Sequence, residues 1–78
     1  MRYEIVLFLD GGKHVLQVIA ETFKNLRVWK VKFQDGAEAV LFKCGNIWLQ
    51  RNEDNLDHGL LNAIGERIDR INLGIALS

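Results

Sequence analysis

Residues 56–71 read Leu-Asp-His-Gly-Leu-Leu-Asn-Ala-Ile-Gly-Glu-Arg-Ile-Asp-Arg-Ile, and the fold follows from their spacing. Leu60, Leu61, Ile64, Ile68 and Ile71 recur three and four positions apart, which gathers them into one stripe at 3.6 residues per turn. Asn62, Glu66, Asp69 and Arg70 fall on the other side. The pattern predicts an amphipathic helix over about residues 56–72. Everything upstream reads as short strands between glycine turns, and strands of that kind need a partner to bury against.

Seventy-eight residues make one domain, 1–78, and leave no room for a second. So short a chain buries a modest share of its surface; a composition 49% hydrophobic and free of proline offsets this. Ten basic and ten acidic side chains give a formal net charge of zero. No overall field then draws the chain to nucleic acid, an anionic membrane or an acidic substrate. Neutrality also removes the repulsion that keeps copies apart. Cys44 is the only cysteine, which excludes an internal disulfide and suits a cytoplasmic location. The first apolar run, Ile5 to Leu9, lies between Glu4 and Asp10 without a cleavage pattern, so no secretory signal is expected. No stretch approaches the roughly 20 apolar residues of a membrane span.

Five strands are predicted, at about 3–9, 14–22, 27–33, 38–43 and 47–50. Asp10-Gly11-Gly12, Lys24-Asn25, Gln34-Asp35-Gly36 and Cys44-Gly45-Asn46 supply the turns. In the first hairpin Tyr3, Ile5, Leu7 and Leu9 share one face, and Val6 and Phe8 the other. Leu16, Val18 and Ala20 likewise alternate with Val15 and Ile19. Both faces are therefore largely apolar. The third strand alternates more cleanly, with Trp29, Val31 and Phe33 inward and Lys30 and Lys32 outward. In the fourth, Val40 and Phe42 oppose Ala39 and Leu41; the fifth carries Trp48.

Either Asp54 or Asp57 can cap the helix, since a carboxylate there accepts the free amide protons of the first turn. Gly65 sits inside the helix at about 1 kcal/mol relative to alanine. It borders the apolar stripe, which predicts close approach of Trp29 or Trp48. Gly74 is expected to end the helix, leaving Ile75, Ala76 and Leu77 as an apolar tail.

The residues that could carry chemistry have structural explanations. A nucleophilic Cys44 would need His14 or His58 beside it, and neither is near it in sequence. The run from Asn52 to His58 fails the calcium-loop pattern, because Leu56 stands where the third oxygen ligand belongs. One histidine among carboxylates is a poor zinc site. Asp10-Gly11-Gly12-Lys13 lacks the spacing of a phosphate loop. Lys30, Lys32, Lys43 and Arg51 with Trp48 form the one alternative binding surface, a platform for single-stranded nucleic acid or a small ligand. No catalytic residue, metal ligand or cofactor is expected.

The segment Val31-Lys32-Phe33-Gln34-Asp35-Gly36, followed by Phe42, Gly45 and Trp48, resembles the hairpins of small uncharacterised bacterial domains. These place a strand–Asp-Gly–strand–Gly–Trp run before a terminal helix. It is similar in part to the PepSY-like proteins. The resemblance implies an α+β fold and assigns no function to any residue.

The expected architecture is α+β: an antiparallel meander of four or five strands with the C-terminal helix across one face. The expected function is a non-catalytic protein–protein interaction module. Its surface is the hairpin face left over by the helix, Val6, Phe8, Val15 and Ile19, with Ile75 and Leu77 from the tail. Either the sheet curls to shield this set, or a second copy covers it across a two-fold axis; the homodimer is the favoured outcome. Burying the five aliphatic residues of the helix contributes on the order of 7–15 kcal/mol as an upper bound, comparable to the whole stability of such a domain. Ile64→Asp or Ile68→Asp should therefore abolish the cooperative thermal transition. A transition unchanged by either would mean that the stripe is not docked.

Overall fold

The computed structural model describes residues 2–77, with side chains described to residue 74. Five strands, β1 (Arg2–Leu9), β2 (Gly12–Phe23), β3 (Leu26–Lys32), β4 (Glu38–Cys44) and β5 (Ile47–Gln50), form one antiparallel meander in sequence order. One helix, α1 (His58–Leu77), follows. The α+β expectation holds. The first two hairpins close through two-residue loops whose residues have positive φ: Asp10 (52°) with Gly11 (77°), and Lys24 (49°) with Asn25 (67°). That handedness matches the twist of the flanking strands. It lets β2 and β3 pair as far as Phe23 and Leu26, beyond the strand ends expected.

Odd residues of β1, β3 and β4 and even residues of β2 and β5 face the helix. Ile5, Leu7, Leu16, Val18, Trp29, Val31, Ala39, Leu41 and Trp48 pack there with Leu61, Ile64 and Ile68. Ile64 and Ile68 are fully buried. The helix backbone comes closest to β5 and β1, the two edge strands. The sheet thus curls around the helix, and large side chains of the central strands fill the space between.

Gly65 lies against Trp48. A β-carbon at position 65 would stand 2.8 Å from the indole Nε1 and nearer still to Cγ and Cδ1. One turn on, Asp69 Oδ2 accepts a hydrogen bond from Trp48 Nε1 at 3.2 Å, and its Oδ1 meets Lys43 Nζ at 2.9 Å. Asp69 therefore does not lie on the solvent side as its charge suggested; it shares the i, i+4 row of Gly65 and points at β5. On the other flank Arg67 donates to the Val6 carbonyl of edge strand β1 at 2.8 Å.

Asp57 is the cap: its carboxylate accepts from Gly59 N–H at 2.9 Å and its carbonyl from Leu61 N–H at 2.8 Å. The helix accordingly begins at His58, two residues later than the pattern implied. Gly74 does not end it. The helix runs on to Leu77 and Gly74 keeps negative φ, because a single glycine weakens a helix without stopping it. The side chains of Ile75, Ala76 and Leu77 lie outside the described residues.

Alanine at Gly65 should gain helix propensity yet destabilise the protein by about 1–3 kcal/mol, because the added methyl overpacks against the indole. In a Trp48→Leu background the same change should become neutral or stabilising. Urea unfolding of the four proteins in the cycle measures this, and an equal effect of Gly65→Ala in both backgrounds would refute the contact.

Candidate interaction surface

The alternate residues of each strand form the sheet face that the helix leaves open. Cross-strand registers arrange them in rows. At one end Phe23 pairs with Leu26, and Cys44 with Ile47. The next row holds Glu21 opposite Val28, and Phe42 opposite Leu49. Then come Arg2, Ile19, Lys30 and Val40, followed by Glu4, Gln17, Lys32 and Glu38. Val6 opposite Val15 and Phe8 opposite Lys13 close the far end.

These rows divide the open face. Phe23, Leu26, Val28, Phe42, Ile47 and Leu49 form an apolar patch over β2–β5, flanked by Ile19 and Val40. A polar band crosses the middle, in which Lys30 Nζ stands 3.8 Å from Glu21 and 3.9 Å from Glu38. Beyond it Val6, Phe8 and Val15 form a smaller cluster. The four residues expected to act together, Val6, Phe8, Val15 and Ile19, do share a face, but the band separates Ile19 from the others.

The large patch is well exposed: Phe23 62%, Leu26 46%, Ile47 64% and Leu49 39%, with Phe8 at 76% in the small cluster. A shallow hollow of about 510 Å³ opens in the patch between Phe23, Leu26, Val28, Val40 and Phe42, and Glu21, Lys30, Arg51 and Glu53 stand at its rim. Strand alternation placed Phe42 correctly opposite Leu41. Phe23, Leu26 and Ile47 flank the turns, where alternation within a single strand does not assign a face. The signal that finds them is the two-residue loop, which makes the residues on either side a cross-strand pair.

The rim is held from below by Asp54. Strand β5 ends at Gln50, opposite Leu41, so Val40 N–H has no strand partner on that side. Asp54 Oδ2 accepts this N–H at 3.0 Å. The same carboxylate takes two hydrogen bonds from Arg51, at 2.9 and 3.0 Å, and Arg51 also lies 3.3 Å from Glu53. The Arg51 guanidinium, joined by Val40 N–H, holds the Asp54 carboxyl below its usual 3.8 against the opposing effect of burial. Asp54 is thus an edge-strand substitute and not the helix cap. Gln50 serves the linker similarly, its amide accepting from Leu56 N–H at 2.8 Å and donating to the Leu56 carbonyl at 3.1 Å.

The alternative platform is not assembled on one surface. Trp48 is buried beneath α1 and Lys43 is engaged by Asp69 on that same side. Lys30 and Lys32 point to the opposite face, and Arg51 is tied to Asp54. Cys44 is exposed on the open face, whereas His14 is at the other end of the sheet on the helix side, beside Leu9, Asp57 and Leu60; His58 begins the helix. Among the described residues no group of three or more His, Cys, Asp or Glu side chains is placed to hold a metal ion, and no helix is long and apolar enough to cross a membrane. Comparison with family models, curated proteins and solved structures finds no match to this chain.

Asp54→Asn should destabilise the protein by about 1 kcal/mol at neutral pH, as expected for losing charge-assisted hydrogen bonds at a half-buried residue. The folded carboxyl keeps its charge to lower pH than the unfolded one, so its stabilisation is complete above 3.8 and is lost as pH falls through the depressed folded value. The gap between wild type and variant in urea unfolding should therefore close on acidification. A gap constant with pH would show that the charge of Asp54 contributes nothing.

Proposed function

We propose that this chain is a small, non-catalytic protein-interaction module and that it docks a folded protein partner on the large apolar patch of the open sheet face. The observation that carries the reading is the exposure of Phe23, Leu26, Ile47 and Leu49 in one contiguous group, on the side of the sheet away from the buried cluster beneath the helix. Contiguous apolar surface rimmed by polar residues is characteristic of interaction sites, and an apolar centre with a charged rim is the usual anatomy of an interface. The partner surface this fits is apolar at its centre and mixed in charge around it. A lone exposed thiol suits a reducing compartment, so we place the protein in the cytoplasm.

A photo-crosslinking aromatic amino acid incorporated at Phe23 in living cells tests the reading. One discrete adduct is expected, lost when Leu49→Lys is added, and absent when the probe replaces Glu66 on the exposed side of the helix. No adduct from position 23, an adduct indifferent to Leu49→Lys, or the same adducts from both positions would overturn it.

A further inference from the structure

We infer that the occupant of the patch is a second copy of this chain, related by a two-fold axis. The inference rests on the docking reading above. Two observations favour self-association. The first is area. At roughly 150–250 Å² for a whole aromatic side chain and somewhat less for an aliphatic one, the exposed fractions of the patch amount to on the order of 400 Å². A standard interface buries about 800 Å² per partner, somewhat over half of it apolar. The patch thus supplies about the apolar area that one side of a stable dimer needs.

The second is shape. The hollow lies between Phe23 and Phe42, while Ile47 and Leu49 project beside it and are not among its walls. In a two-fold pairing, where residue i meets j and j meets i, these two side chains of one copy enter the hollow of the other.

The purified full chain tests this by light scattering over about 1 µM to 1 mM, a range spanning ordinary dimer affinities. A mass of twice 8.9 kDa is expected at the upper end. Ile47→Lys or Leu49→Lys should weaken the dimer roughly 30-fold or more, as for an anchor side chain buried in a pocket of the partner, with the circular dichroism of the helix unchanged. Phe8→Lys should leave the dimer intact. The native thiol gives a second readout that does not depend on a core variant folding. Cys44 pairs with Ile47 at the patch margin, so its reaction with a maleimide should slow several-fold as the wild type is concentrated, and not in Leu49→Lys. A mass of 8.9 kDa at every concentration overturns the second copy. So does a dimer split by Phe8→Lys with Cys44 unprotected. If the protein is a monomer but the Phe23 probe still captures a different protein in a Leu49-dependent way, only the second copy falls. Absence of any adduct removes the docking site itself.

Discussion

The distance between helix and sheet is set where Trp48 meets Gly65. The indole occupies the space where any other residue would carry its β-carbon, so α1 approaches β5 more closely than a helix with a side chain there could. Only at that approach does Asp69, one turn later, reach the indole N–H and Lys43 together. The same approach sets Ile64 and Ile68 deep among Leu16, Val18, Val31 and Leu41. The unfavourable propensity of a helical glycine, about 1 kcal/mol, is small beside the apolar burial that depends on it.

Docked this closely, the helix also decides what remains available at the margins of the sheet. An edge strand offers unpaired N–H and C=O groups to other chains. On β1 Arg67 caps the Val6 carbonyl, with the helix alongside. Strand β5 is only four residues long, and where it stops Asp54 takes over its pairing with Val40. Both edges are therefore blunted. What is left exposed is the face, where Ile47 and Leu49 of β5 join Phe42 of β4 and the Phe23–Leu26 pair.

The element order, the helix stripe and the core alternation were legible because each rests on a local period: 3.6 residues for α1 and two for each strand. Gly65 was legible as a contact because a glycine on the border of an apolar stripe demands a close neighbour; choosing Trp48 over Trp29 required the register. Trp29 instead tilts against Tyr3, with ring centroids 6.3 Å apart. What the sequence hides is non-local. Nothing in the order of residues says that Asp69 belongs to Trp48, that Arg67 reaches β1, or that Asp54 stands in for a missing strand residue. The open face is hidden for the same reason: Phe23 and Leu26 are far in the chain from Phe42, Ile47 and Leu49 and come beside them only through the pairing of β3 with β4, and the charges that divide the face come from β1, β2, β3 and β4.

Curling is one way to cover the apolar residues of the open face, and the direction of the curl rules that way out. The edges of the sheet bend toward the helix, so bending encloses the core face and pushes the other outward. Curvature in this sense cannot shield Phe23, Leu26, Ile47 or Leu49; it presents them. The hollow between Phe23 and Phe42 persists on that outward side because a twisted sheet is saddle-shaped, bent one way across its strands and the other way along its diagonal. An outward face with both a hollow and projecting aliphatic side chains is a surface that a copy of itself can fit. Intramolecular packing thus completes one side of the sheet and leaves apolar side chains exposed on the other.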